Sequence, residues 1–409
     1  MIKKILLSSL MLLSLHTFAQ EGTASPYSFY GIGEVKFKGT VDTRAMAGIG
    51  ILNDSIHLNL QNPAALSSLK LTTFTVAGTF SPSKFKTTSE EEKAQRTSFD
   101  YLSVAFPVGK IGLNFGLMPY SSVGFKIFKE TSANAKRYFG EGGLNRFFVA
   151  GSYQVTKKFS FGLNVAYNFG EIETSVAEFK SGIQFGSREL NNSRMSGFVL
   201  TTGASYKTKI KKYDFITSAT FSPASNLNSN NTRELAKITY NALGTESVWD
   251  KRDIEIEDSK VKLPAKFTLG SGIGQDKKWF VGFESGFQGK GDYSNVVVEN
   301  ASYETASKIS VGGYYIPKYN SISSYLNRIT YRAGFRYENT GLILNSKSIK
   351  DRAATFGLGF PLSGFSNINF SYELGKRGTI DSGLIQENYQ NFSVGLSFND
   401  RWFVKRKYD

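Results

Sequence analysis

Residues 158–169 read KFSFGLNVAYNF. Phe159, Phe161, Leu163, Val165, Tyr167 and Phe169 fall on every second position, with Ser160, Gly162, Asn164, Ala166 and Asn168 between them. Side chains of a strand alternate between two faces, so this is a strand with one large apolar face and one small or polar face. A sheet in water buries such an aromatic face under a second layer. A membrane barrel turns it toward lipid and keeps the polar face for its lumen.

The pattern recurs on both sides of this stretch. Phe74, Val76, Gly78 and Phe80 share one face, as do Ile111, Leu113, Phe115 and Leu117, and Phe147, Val149, Gly151 and Tyr153. Near the end the same holds for Phe392, Val394, Leu396 and Phe398. Strands are expected at 71–80, 98–108, 110–119, 144–155, 158–169, 194–207 and 213–222. Further strands are expected at 263–274, 278–288, 304–315, 327–338, 351–361, 365–376 and 389–399, which makes fourteen. Their lengths lie near the roughly 9–11 residues that a tilted strand needs to cross a bilayer.

Connections alternate between short turns, such as 107–110, 156–158 and 275–278, and long polar stretches, such as 81–97, 120–143, 170–193 and 223–262. Membrane barrels show this asymmetry, with short periplasmic turns and longer external loops. It places both chain ends on the periplasmic side of a Gram-negative outer membrane. Residues 340–348 extend a neighbouring hairpin, and 316–327 is the one long connection on the short side. The fold class is all-β, a 14-stranded antiparallel transmembrane barrel. A soluble sandwich or propeller is the rival. Against it stand the many period-two aromatics and the lack of a repeat of roughly 40–50 residues.

The first residues have the three parts of a secretory signal: basic Lys3 and Lys4, an apolar run over 5–15, and Thr17-Phe18-Ala19 at the cleavage position. Cleavage there leaves Gln20 first and takes the formal charge from +15 to +13, since Lys3 and Lys4 are lost. No later stretch reaches the roughly 20 apolar residues of a membrane helix. A membrane-embedded form of this chain is therefore a closed barrel. The expected division is 1–19 signal, 20–70 hatch, 71–399 barrel and 400–409 periplasmic tail. In that tail, Trp402 and Phe403 beside Lys405, Arg406 and Lys407 suit a membrane interface.

Composition excludes several kinds of chemistry. With no cysteine there is no disulfide framework, thiolate metal site, cysteine nucleophile or lipid-anchored cysteine. After the signal, His57 is the one histidine, too little for a serine-histidine relay or a metal site, and it reads as a hydrogen-bonded packing residue. No catalytic residue, metal ligand or cofactor is expected, and the chain is not read as an enzyme. Glu90-Glu91-Glu92 reads as a solvated loop run rather than a calcium site. The glycines at 31–33 and 270–274 lack the setting of a phosphate loop and instead relieve crowding in strands. The basic excess occurs as Lys-Lys pairs and single residues on turns and loops, which points to lipid phosphates or anionic solutes and not to nucleic acid.

Ahead of the first strand, residues 47–66 read AGIGILNDSIHLNLQNPAAL, rich in small residues and poor in charge. Pro63 forbids one continuous helix through it. Ala47-Gly48, Asp54 and Asn62-Pro63-Ala64, followed by a leucine and the first strand, resemble the N-terminal hatch of the FadL family. Ala65 stands where that family commonly has glycine. The resemblance implies a hatch-plugged fourteen-stranded barrel that passes long-chain fatty acids and similar hydrophobic compounds passively across the outer membrane. Asn62, Pro63 and Ala64 are then the gating residues, with the ligand-binding side chains unidentified. The implied partners are outer-membrane lipids and lipopolysaccharide, and hydrophobic small molecules.

Ala19-Gln20, Tyr315-Ile316-Pro317-Lys318-Tyr319-Asn320 and Asn399-Asp400-Arg401-Trp402-Phe403 are similar to FadL-related barrels of Bacteroidetes, including a PorV-related branch that serves protein complexes. That resemblance implies the alternative, a non-transporting accessory subunit of an outer-membrane secretion or assembly complex. A hydrophilic porin is the third reading.

Overall fold

The period-two segments of the sequence become the staves of a barrel in a computed structural model that describes residues 22–241, 245–291, 301–362 and 366–402. The signal at 1–19 and the basic tail beyond Trp402 lie outside the described residues. The segment ahead of the wall, 22–71, called the hatch for its place inside the barrel, holds a two-residue strand, β1 (Glu34–Val35), one helical turn, α1 (Val41–Arg44), and 3-10 turns at Pro26–Phe29 and Pro63–Ser68. The wall begins with β2 (Thr72–Lys86), β3 (Glu91–Val108), β4 (Ile111–Glu130), β5 (Asn134–Gln154), β6 (Phe159–Lys180), β7 (Gly186–Ile210) and β8 (Tyr213–Ser222). An excursion follows as β9 (Ser225–Tyr240), β10 (Glu246–Ile254) and β11 (Ser259–Leu263). The wall resumes with β12 (Lys266–Gln275) and β13 (Trp279–Gln288), and a short β14 (Ala301–Tyr303) stands aside. β15 (Ala306–Tyr315), β16 (Thr330–Leu344), β17 (Lys347–Pro361), β18 (Asn367–Arg377) and β19 (Gln386–Asp400) complete the ring.

Neighbours pair antiparallel throughout, β8 with β12 and β13 with β15 across the excursions. β19 returns to β2 in a ladder that includes Phe398↔Phe74 and Phe392↔Phe80. The result is a closed 14-stranded antiparallel barrel. Closure removes the free edges that an open sheet would expose. Each of the fourteen expected strands coincides with one wall strand. The alternation faces as the sequence requires: Phe161, Leu163 and Val165 are exposed on the outside, whereas Ser160, Ala166 and Asn168 are buried inside.

Two expectations need correction. Much of 81–97, 120–143 and 170–193 is strand, not loop: β4 to β7 run 20, 21, 22 and 25 residues, about twice the length that crosses a bilayer. Above the membrane the alternation continues in polar residues, which hydrophobic periodicity does not register. Residues 223–262 also contain strands, with β9 on the upper part of β7 and β10 and β11 on the far side of β9.

The second correction concerns the chain ends. Ser25 bonds Glu387 and Tyr27 donates to Ile385 O, both at the long-connection end, whereas Arg401 and Trp402 follow β19 at the short-turn end. The described ends therefore lie at opposite ends of the barrel. The reason is apolar packing. Tyr27 and Tyr30 need a dry contact and find it against Leu342, Leu344, Ile349 and Leu384, so the hatch spans the height of the lumen. At its other end Leu66 and Leu69 pack beside Ala105 and Ala150.

Candidate functional site: the hatch and its wall

The hatch is held at the short-turn end by shape. Asn62 caps the 3-10 turn: its Oδ1 accepts from Ala64 N at 3.0 Å, and Pro63 occupies the first helical position, where no N–H is needed. The Asn62 Nδ2 donates across to Ala204 O of β7 at 3.2 Å, and Asn62 is 1% exposed. Asn59 supports it from behind, its Oδ1 accepting from Asn62 N at 3.0 Å and its Nδ2 donating to Gly50 O at 2.8 Å.

The wall opens grooves for this turn with glycine. A Cβ at Gly203 would lie 2.2 Å from Asn62 Oδ1, at Gly162 2.4 Å from the Pro63 carbonyl carbon, and at Gly112 2.4 Å from Leu66 O. Across the lumen Gly312, Gly334 and Gly357 receive Ala45, Met46 and Ala47 in the same way, the nearest approach being 2.3 Å to Met46 O. Ala47 holds φ +59° there, fixed by a bond from its N–H to Thr355 Oγ1 at 2.9 Å. Asn62, Pro63 and Ala64 are thus brought together against β6 and β7, a wall contact that the sequence did not locate.

At mid-height and toward the long connections, charge replaces shape. Arg44 of α1 is buried and donates to Asp100 Oδ2 at 2.8 Å, Thr79 Oγ1 at 3.0 Å and Gly39 O at 2.9 Å. Glu284 of β13 accepts from Gly50 N at 2.7 Å, with Lys308 3.6 Å away. Glu34 pairs with Arg377 at 2.9 Å and accepts from Thr23 Oγ1 at 2.6 Å. Arg377 also meets Asp351 at 3.4 Å and Glu387 at 3.5 Å, and Lys38 reaches Asp351 at 3.4 Å. Burial alone would raise the Glu34 pKa, but Lys36, Arg377 and Lys38 hold it well below the ordinary carboxylate range.

β1 completes the seal at a seam in the wall. β3 and β4 pair only from Leu102↔Leu117 to Val108↔Ile111. Above that, β4 bulges between Pro119 and Ser121, and its free edge takes β1 through Glu34↔Ser122 and Val35↔Ser121. A polar cavity of about 60 Å³, lined in part by Thr23, Ser25, Asp100 and Glu387, remains between this segment and β2, β3, β18 and β19. A larger one of about 640 Å³ lies on the raised part of β4 to β7 with β9 and β10, lined by Phe128, Tyr138, Phe139, Leu190 and Tyr240 beside Arg137 and Arg188.

His57 Nδ1 lies 2.6 Å from Asp54 Oδ2 within the hatch, a pair between packing residues. Burial lowers the imidazole pKa and Asp54 more than offsets this, so it stands raised. Among the described residues, no three His, Cys, Asp or Glu side chains are grouped to hold a metal ion. Of the three glutamates at 90–92, Glu91 pairs with Lys84 and Lys86 across the β2–β3 hairpin. Sequence reading missed Arg44, Glu284 and Arg377. Glu284 did leave a signal, a lone acid on the lumen face of a strand whose other face is Val281 and Phe283.

The family model described as BamG matches residues 1–409. The chain belongs to the BamG family. This BamG-family barrel is also similar to solved structures of channels. The toluene transporter TodX of Pseudomonas putida is 17% identical, with 91% of this chain and 100% of that chain covered at a TM-score of 0.61. A Pseudomonas aeruginosa FadL homologue is 12% identical, covering 90% and 100% at 0.59. The toluene transporter TbuX of Ralstonia pickettii is 13% identical, covering 94% and 100% at 0.58. What is shared at these identities is the fold, that of outer-membrane channels. No curated protein matches the sequence.

Proposed function

We propose that the protein is a passive outer-membrane channel for small hydrophobic molecules such as long-chain fatty acids, with the hatch as its gate. The observation that carries this reading is the hatch itself, seated inside a fourteen-stranded barrel of the toluene-transporter fold. Asn62, Pro63 and Ala64 act as the latch. They hold to β6 and β7 through one side-chain hydrogen bond and close packing, contacts that separate without exposing an unpaired charge. Lipids and lipopolysaccharide surround the aromatic wall.

The native chain has no cysteine, so a lock is easily installed. Asn53→Cys with Ser205→Cys, at positions whose side chains meet at 2.6 Å between hatch and β7, oxidised in proteoliposomes, is expected to stop entry of a fluorescent fatty acid, and reduction to restore it. Equal entry in the two states overturns the gate. Steady ion conductance with the hatch in place favours a hydrophilic porin instead.

The tightness of the seal supports a second reading, a non-transporting accessory subunit of an outer-membrane secretion or assembly complex. The hatch is fastened at both ends, and the space left between it and β2, β3, β18 and β19 is polar and about 60 Å³, room for water but not for an acyl chain. Purification in mild detergent separates the readings. A stoichiometric protein with no fatty-acid entry supports the second, and a solitary barrel holding extracted lipid supports the first.

A further inference from the structure

The raised sheet of β4 to β7 has two faces, and each carries its own cluster. Ile127 and Tyr138 pack inward with the hatch, the Tyr138 ring centre 6.0 Å from that of Phe29. Strand register puts Phe128, Arg137, Ala177 and Arg188 in one row across the four strands, and Lys126, Phe139, Ser175 and Leu190 in the next. Those rows belong to the opposite face, because β6 runs from exposed Phe161 to Ala177 with no break in its register against β5. The cavity of about 640 Å³ therefore opens away from the lumen.

Curling of the sheet turns this cavity into a pouch. β9 and β10 come round until Tyr240 faces Arg137, whose guanidinium lies 4.5 Å from that ring centre and 5.5 Å from that of Phe128. Arg188 ties the same corner through Glu234 at 2.5 Å and through Glu246. The volume falls in the range of small-molecule sites, roughly 300–1,000 Å³.

The lining decides what fits. Phe128, Phe139, Leu190 and Tyr240 give an apolar body its contacts. Arg137 meets no carboxylate among the described residues, and its planar fork, held between two rings, matches a carboxylate. Lys126, Arg137 and Arg188 stand against Glu173, Glu234 and Glu246, so the pouch is near neutral and suits one negative charge better than a phosphate dianion. Tails of the bilayer are kept out by acids. Glu141 and Glu173 sit directly opposite one another, with Glu171 beside them, between the pouch and the lipid-facing ring of Phe169.

We propose that the pouch binds a hydrophobic monocarboxylate from the medium, its carboxylate on Arg137 and its apolar part among Phe128, Phe139, Leu190 and Tyr240. This goes beyond the gated channel, since the site lies outside the lumen and is reached with the hatch closed.

The test irradiates the full chain in lipid nanodiscs with decanoate carrying a diazirine at its tail, and maps the labelled peptides by mass spectrometry. Labels are expected within 126–139 and 175–190 and at Tyr240. Excess decanoate should remove them and decanol should not. Arg137→Gln should lower this labelling about tenfold, the lower part of the range for a hydrogen bond to a charged group. Ser175→Phe fills the pouch and leaves Arg137 in place, so a matching loss there ties the effect to the cavity and not to one displaced side chain. Labelling that persists in the oxidised Asn53→Cys, Ser205→Cys lock supports the site even where no fatty acid enters. Labels confined to the lumen overturn the proposal, as do equal competition by decanol, the same labels from a tail-diazirine phospholipid, or labelling unchanged in both variants.

Discussion

The two ends of the hatch are sealed by different physics. Around 59–66, a proline turn lies in glycine grooves and the polar contacts are neutral amides. From 23 to 44, the contacts are buried ions: Glu34 with Arg377, Lys38 with Asp351 and Arg44 with Asp100. Shape and neutral hydrogen bonds are indifferent to salt and pH, and fail when volume is added. Buried ion pairs tolerate some volume change, and fail when one partner is lost. One segment thus carries two fasteners of different physics, and the expectation is that loosening one leaves the other in place.

The largest expected effect tests that independence. Arg44→Ala strands Asp100 in the lumen with Thr79 as its remaining partner and should cost about 3–5 kcal/mol of local stability, the range for breaking a buried pair. Hydrogen exchange should then show residues 37–50 losing protection while 59–66 keeps it. Adding Asp100→Asn should recover much of the loss by removing the orphaned charge. Equal loosening of both segments would mean that the fasteners are one cooperative unit.

Volume added to the other fastener comes next. Gly162→Val drives a Cβ into Pro63 main-chain atoms, which do not yield as a flexible side chain does. Overpacking of this kind costs about 1–3 kcal/mol. Exchange should rise at 59–66, with 23–44 unchanged. A hatch displaced along its whole length would break the comparison from the opposite side.

How much of this was legible in the sequence depends on what each part rests on. Phe159 to Phe169 announce their strand because lipid and lumen demand different side chains at alternate positions, and the same signal located every wall strand. The upper halves of β4 to β7 were missed because both their faces are polar or mixed, as at Glu171, Thr174 and Arg188. The Asn62-Pro63-Ala64 turn was visible because proline constrains its own backbone and asparagine caps it. Gly112, Gly162 and Gly203 were visible as strand glycines, but what each admits is decided by residues distant in the chain. Arg44 and Arg377 look in sequence like any solvated charge, and Glu284 is marked only as a lone acid on a lumen face. Their partners, Asp100, Gly50 N and Glu34, are tertiary facts.

Removing the cap is a smaller insult than filling its groove. Asn62→Ala loses the bond to Ala204 O and the cap on Ala64 N, and should cost about 0.5–2 kcal/mol. Asn62→Asp should keep the cap but not the donor to Ala204. The rise in exchange at 62–66 from the native chain to Asn62→Asp then reads the loss of the cross-wall bond, and the further rise in Asn62→Ala reads the cap. If Asn62→Asp exchanges as the native chain does, the cross-wall bond adds nothing to the shape seal.

The smallest effect is a pH dependence whose sign differs between two hatch sites. Glu34 has a depressed pKa, so its contribution is present above the ordinary carboxylate value of about 4.3 and disappears as pH falls through the folded value. His57 has a raised pKa beside Asp54, so its contribution is complete below about 6.5 and is lost as pH rises through the folded value. Raising the pH from mildly acidic to mildly alkaline should therefore loosen 54–57 slightly and leave 23–36 untouched. Moving into strong acid should release 23–36, and should also weaken 54–57 because Asp54 becomes protonated. Exchange measured at 54–57 with His57→Gln should lose the alkaline step and keep the acid one. If the alkaline step survives that substitution, another group titrates there and the hatch pair is not its origin.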